Sequence, residues 1–183
     1  QAELTTVVIL GLCGSLRRGS YNRRLLDAAA AELPPGVKLE IFDGLANIPP
    51  YDEDSSAPET VTALREAIAA AEGVLIATPE YNASLPGQLK NVLDWVSRPF
   101  PDNVLRHKPA AVVGASTGLF GAVWAQAELR KVLTTIGARV LDEELPVGQA
   151  HDAFAEDGGL VDPDLRIALA DLVAQLLSTM RAL

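Results

Sequence analysis

The sequence predicts an α/β protein built on a doubly wound parallel sheet of five strands, in the order 2-1-3-4-5, with helices on both faces. Three observations carry this expectation. Apolar, β-rich runs alternate strictly with segments whose apolar residues recur at helical spacing. Three of the five strand candidates are almost wholly apolar, as parallel strands covered on both faces must be. A length of 183 residues with 49% apolar content suits one domain, taken as 1–183, with no linker and no internal repeat. Right-handed crossovers then set the winding.

Each element has its own signal. "TVVILGL" (6–12) is an apolar strand. Leu25, Leu26, Ala29 and Leu33 mark a helix over 22–33, stopped by "PPG" at 34–36. "VKLEIF" (37–42) alternates and reads as a strand with one polar face. Residues 43–57 form a long loop whose carboxylates Asp52, Glu53 and Asp54 suit solvent better than a metal. A helix follows over 58–72, then the strand "GVLIATP" (73–79). Leu85, Leu89, Val92, Leu93 and Val96 form a helical stripe with Pro86 near its first turn. "AAVVGAS" (110–116) is a strand, and Ala125, Leu129, Val132, Leu133 and Ile136 form the next stripe. "ARVL" (138–141) is a short fifth strand. Asp162 caps the last helix, whose core face is Leu165, Leu169, Leu172, Leu176 and Met180.

Composition narrows the function. Lys plus Arg number 15 against 24 Asp plus Glu, a formal net charge of −9. That opposes general binding of nucleic acid and docking on anionic membranes. No apolar stretch approaches the ~20 residues that cross a bilayer. The N-terminus lacks a basic segment followed by an apolar core, so no signal peptide is read. Cys13 is the one cysteine, which fits a reducing cytoplasm.

In a sheet of this order a ligand sits beyond the carboxyl ends of the strands, where the order reverses. Three loops meet there. The first, 13–21, has the chemistry of an anion cradle. Gly14 and Gly19 permit close backbone approach, while Ser15, Ser20 and Asn22 can donate hydrogen bonds. Arg17 adds a charge-assisted pair, and the helix starting near Tyr21 adds free N–H groups. The pattern suits one phosphate. It spells neither G-x-G-x-x-G nor G-x-x-x-x-G-K-[ST], because Ser20 stands where the lysine would be. In the second loop, Pro79, Glu80, Tyr81 and Asn82 offer a carboxylate, an aromatic face, an amide and backbone groups for the edge of a planar heterocycle. Tyr81 also suits a partly buried packing role. Lys90 and Asp94 read as a surface pair at i,i+4. In the third loop, Ser116 and Thr117 carry hydroxyls and Gly118 and Gly121 allow close approach; a flexible turn has the same composition.

"GSLRRGSYN" (14–22) together with "TPEYNASLPGQLKNVLDWVSRP" (78–99) resembles the NADPH-dependent FMN reductase family. This flavodoxin-like group includes quinone and chromate reductases and related azoreductases. "LPVGQAHDAFAEDGGLVD" (145–162) resembles the family's final loop, so the likeness spans nearly the whole chain. It implies bound FMN, with Ser15, Arg17, Ser20 and Asn22 at the phosphate positions and Leu16 and Tyr21 in the same loop. It places Pro79, Glu80, Tyr81 and Asn82 along the isoalloxazine ring and Ser116 near the flavin; Thr117 and Gly118, beside it in the third loop, are further expected cofactor-binding residues. It implies NADPH or NADH as co-substrate, and a small acceptor such as a quinone, free flavin, azo compound or chromate. The flavin would carry the chemistry, with no catalytic side chain and no metal. A homodimer or homotetramer is implied, with flavin sites near a subunit interface.

Ala122, Trp124 and Cys13 depart from the family pattern. Where "GGxRAQ" is frequent the chain has "GAVWAQ", so Trp124 replaces an arginine and suits either a subunit contact or core packing. Cys13 stands where a small residue is usual and reads as a small buried side chain. His107 and His151 read as surface residues. The rival readings are a non-enzymatic flavodoxin-like electron carrier and a cofactor-free nucleotide-binding module.

Overall fold

The computed structural model describes residues 5–181. The ends of the expected 1–183 domain, residues 1–4 and 182–183, lie outside these. The elements run β1 (Val7–Cys13), α1 (Tyr21–Ala30), β2 (Val37–Ile41), α2 (Glu59–Ala70), β3 (Gly73–Ala77), α3 (Gly87–Val96), β4 (Pro109–Ala115), α4 (Val123–Ile136), β5 (Arg139–Val140), β6 (Pro146–Val147) and α5 (Pro163–Arg181). The strand order is β2-β1-β3-β4-β5, and every pairing is parallel. The expected doubly wound, flavodoxin-like sheet is therefore the observed one.

Strand alternation divides the core into two layers. Leu10, Leu12, Val74, Ile76 and Val112 pack with Leu64 of α2, Leu93 of α3 and Leu129 of α4 on one face. Ile9, Leu75, Ala77 and Val113 pack with Leu25 and Leu26 of α1 and Leu169, Leu172 and Leu176 of α5 on the other. β3 and β4 are buried along their whole length, which is why their sequences are continuously apolar.

The fifth strand is shorter than its expected span 138–141 and comes in two pieces. β5 pairs with Pro109 and Ala110, while β6 pairs farther along with Gly114 and Ala115. Between them lies "LDEEL", whose Asp142, Glu143 and Glu144 are exposed. The gap is closed by Gln126, which is fully buried. Its Nε2 donates to the carbonyls of Gly121 (2.9 Å) and Leu145 (3.1 Å), and its Oε1 accepts from Leu145 N–H (3.0 Å). A side chain thus supplies what a sheet partner would.

The first helix ends at Ala30, short of the expected Leu33, because residues 31–32 leave the helix as a turn before "PPG". The stripe residue Leu85 precedes α3, since Pro86 sits at that helix's N-cap. Asp162 caps α5 as expected, its Oδ1 accepting from Asp164 N–H at 2.8 Å. The long loop 43–57 is a loop, but it is tied down. Gln88 of α3 donates to the carbonyls of Leu45 and Ile48 (2.8 and 2.9 Å), and Asn91 and Trp95 both donate to that of Pro49 (2.9 and 2.8 Å). Asp52, Glu53 and Asp54 remain exposed.

Candidate cofactor site

β1 ends at Cys13 and the chain turns at once. Gly14 lets the loop pass close to β3 and α3: a Cβ there would stand 3.1 Å from Leu89 Cδ2 and 3.3 Å from the Ala77 carbonyl. Gly19 takes φ +69°, which ordinary side chains disfavour. The result is a loop whose backbone N–H groups at residues 15–21 find no acceptor among the described residues. Such a run of free donors before a helix forms a concavity for an anion.

Ser20 is the N-cap of α1, its hydroxyl accepting from Asn22 N–H (3.2 Å) and Arg23 N–H (3.3 Å). Asn22 has a role that the sequence did not disclose. Its side chain is buried, donates to the Ala115 carbonyl (3.1 Å) and accepts from Ala115 N–H (2.9 Å). It therefore locks the first loop to the end of β4, where the third loop begins. Cys13 is half-buried, not fully buried, and its thiol donates to the Ser15 carbonyl at 3.3 Å. The guanidinium of Arg17 lies 5.0 Å from the centroid of the Tyr21 ring, and Arg24 lies 5.6 Å from it. Tyr21 also stacks on Phe154 of the final loop, with ring centroids 6.4 Å apart.

The second loop is a tight hairpin. Tyr81 and Ser84 exchange backbone hydrogen bonds of 3.0 and 3.1 Å, and Asn82 and Ala83 both have positive φ. This turn holds Tyr81 out, half-exposed, so it is not a packing aromatic. The Glu80 carboxylate accepts from Ala125 N–H at 2.9 Å, in the first turn of α4. α4 needs this, because its own N-cap, Ala122, has no side-chain acceptor. The sequence signal for it was a carboxylate in a loop; its partner, 45 residues on, was invisible. In the third loop, Ser116 N–H donates to the Val147 carbonyl (3.0 Å), and its hydroxyl accepts from Gly118 N–H (3.1 Å).

The three loops converge on one cavity of about 180 Å³. Ser15, Arg17, Ser20, Tyr21, Asn22, Pro79, Glu80, Tyr81, Ser116 and Thr117 line it. Leu16, Asn82 and Gly118 do not line it; Leu16 borders a neighbouring cavity, and the other two sit in the turns beside it. Lys90 and Asp94 form an exposed pair at 2.8 Å, away from these loops. His107 and His151 are exposed. Trp124 is half-exposed, which removes the core-packing alternative; it meets Phe120 edge-on, with centroids 5.4 Å apart.

Free N–H donors, two hydroxyls and a guanidinium at one end, and an aromatic ring at the other, fit a phosphorylated planar cofactor. Fold and site thus define a flavodoxin-like, flavin-nucleotide-binding class. The chain belongs to the NADPH-dependent FMN reductase family, whose model matches residues 7–152. It is 42% identical over 179 residues to an NAD(P)H-dependent FMN reductase of Pseudomonas aeruginosa, covering 96% of this chain and 94% of that one. It is 39% identical to a 2-hydroxy-1,4-benzoquinone reductase of a Burkholderia species, over 84% of this chain and 85% of that one. Among solved structures, FerB, a flavoenzyme NAD(P)H:(acceptor) oxidoreductase of Paracoccus denitrificans, superposes with a TM-score of 0.85 at 32% identity, covering 96% and 98% of the two chains. The protein is an FMN-dependent, NAD(P)H-using oxidoreductase. This sets aside both the carrier and the cofactor-free readings. No helix among the described residues is long and apolar enough to cross a membrane.

Proposed function

We propose that the chain, as one FMN-binding domain, passes reducing equivalents from NAD(P)H to a small quinone-type acceptor at the cavity between its three loops. Free flavin, azo compounds and chromate are the other acceptors within reach of the same chemistry. The observation that carries the site is the run of unpartnered N–H groups at residues 15–21, beside Arg17 and at the start of α1.

Bound FMN supplies the two-electron redox chemistry. The chain supplies the rest. The N–H groups of residues 15–21 and the Arg17 guanidinium hold the phosphate, and Ser15 and Ser20 add hydroxyls. Asn22 and Ser20 fix the loop that presents these donors. The Tyr81–Ser84 turn sets an aromatic wall for the ring, and the unpartnered N–H groups of Glu80 and Asn82 are donors for its polar edge. Glu80 anchors this loop to α4. Quinone acceptors are supported by the names of the relatives above.

The reading extends to assembly and place. Leu119, Phe120 and Trp124 are 72%, 60% and 50% exposed and adjoin the third loop. An apolar cluster of this kind suits a second copy of the chain, in a homodimer or homotetramer. Dependence on NAD(P)H fits a cytoplasmic location. Trp124→Ala should lower the mass measured by light scattering; an unaltered mass counts against this interface.

The direct test is to purify the protein, record its flavin absorbance, and follow NADPH and NADH oxidation against a panel of the four acceptor types. Fastest turnover is expected with a quinone. Arg17→Ala/Ser20→Ala should weaken FMN binding about 100-fold or more, from several lost charge-assisted contacts. Unchanged FMN affinity would show that the phosphate is held elsewhere.

A further inference from the structure

The chain has four lysines, and three of them stand against a carboxylate. Lys38 pairs with Glu40 at 2.7 Å, Lys90 with Asp94 at 2.8 Å and Lys131 with Glu128 at 3.1 Å. Each such pair favours the charged ammonium. Lys108 is the exception. It forms no ion pair among the described residues, and its Nζ donates to the carbonyl of Ala71, the residue that closes α2. An amine that donates one N–H to a carbonyl keeps its lone pair free once it is uncharged.

The surroundings of Lys108 favour the uncharged form. The side chain is half-buried and lines a cavity of about 430 Å³. Ala69, Ala70, Ala71, Pro109 and Met180 give that cavity an apolar lining. Its other titratable groups are Glu72, Arg106 and His107, and each has a partner already. Glu72 Oε2 accepts from Val8 N–H at 2.7 Å. Arg106 faces Asp102 at 3.5 Å and donates from Nε to His107 Nε2 at 3.2 Å. Burial therefore holds Lys108 below the usual lysine range, with Glu72 opposing the effect in part. A lysine desolvated in an apolar pocket is an activated nucleophile. The place is separate from the redox site. β3 and β4 begin beside this cavity, at Gly73 and Pro109, and the cofactor loops follow their other ends.

We propose that Lys108 is a selective acylation site, at which a small activated acyl donor enters the apolar cavity and transfers its acyl group to Nζ. The uncharged amine attacks the carbonyl carbon of the donor. A nitrogen–carbon bond forms, the bond from carbon to the leaving group breaks, and the leaving group departs as phosphate or thiolate. The proton released from nitrogen passes to water, and nothing is oxidised or reduced. The product amide is neutral, so burial no longer opposes it, and it keeps one N–H for the Ala71 carbonyl. Acyl phosphates and acyl thioesters share this chemistry.

The test incubates the FMN-loaded protein at neutral pH with acetyl phosphate and, separately, with acetyl-coenzyme A. Peptide mass spectrometry follows each lysine over time. Lys108 should acylate at least about fivefold faster than Lys38, Lys90 or Lys131, because less of it is charged. The donor with the higher rate at Lys108 identifies the source of the acyl group. In urea the four rates should converge to within about twofold, since burial and pairing are both lost. Glu72→Gln removes the opposing charge and should raise the Lys108 rate about twofold or more, with the other three unchanged. A Lys108 rate at or below those of the other lysines with both donors overturns the proposal. So does a preference for Lys108 that persists in urea, which would trace it to the local sequence and not to the cavity.

Discussion

Asn22 joins the phosphate-holding loop to the end of β4 by two hydrogen bonds to a single residue, Ala115. Asn22→Ala removes both and leaves the N–H and C=O of Ala115 without partners in a buried position. Each such orphan costs about 1–3 kcal/mol, and partial entry of water into the vacated space brings the pair to about 3 kcal/mol. For a domain of this size that lowers Tm by about 6–12 °C. Ser20→Ala is the control. It removes an N-cap from the same turn, worth about 1 kcal/mol, without touching β4. Urea unfolding of the two FMN-free variants, with unchanged m-value, measures both losses. The ordering is the essential result: Asn22→Ala must lose clearly more than Ser20→Ala. Equal losses would mean that the link to Ala115 contributes nothing beyond capping, and the account of how the first and third loops are held together would fail.

Gln126→Leu keeps the volume of a buried side chain but deletes three hydrogen bonds to Gly121 and Leu145, and should destabilise by about 2–4 kcal/mol in the same assay. Hydrogen exchange should locate the loosening at residues 141–147, and uniform protection there would refute the role given to this side chain. Burial holds the Lys108 ammonium below the usual lysine range, an effect partly offset by the Glu72 carboxylate. The unfolded chain therefore binds this proton more tightly than the folded one, so the Lys108 contribution to stability improves as pH rises towards the ordinary lysine value. The Tm difference between wild type and Lys108→Met should move in favour of wild type between about pH 7 and about pH 9.5; a constant difference would show that burial does not govern this group.

The elements legible in the sequence were those whose signal is periodic and local. β1, β3 and β4 declare themselves as apolar runs, and their burial on both faces follows directly. The anion-holding loop was legible because glycine, serine and arginine crowd the end of a strand. The hidden features depend on partners far along the chain. Asn22 looked like a ligand donor, yet its amide is engaged with a residue 93 positions away. Glu80 looked like part of a ring-binding segment, yet its carboxylate caps a helix that begins beyond residue 120. Gln126 gave no signal at all, because one polar residue on an apolar stripe does not reveal which backbone groups it will satisfy. The fifth strand was overextended for a related reason: "ARVL" has strand composition, but Asp142, Glu143 and Glu144 come directly after it and draw the chain out to solvent.

That broken strand also bears on how the molecule behaves in a crowded solution. Sheets fail by growing: a long, flat, apolar edge invites another chain to extend the ladder. Here the β4 side ends in two-residue pieces offset along the strand and separated by Asp142, Glu143 and Glu144. A foreign strand would find no continuous row of donors and acceptors to copy. The other edge, β2, places Lys38 and Glu40 outward, joined at 2.7 Å, so its margin is charged as well. Both borders of the sheet thus carry features that disfavour recruitment of a foreign strand.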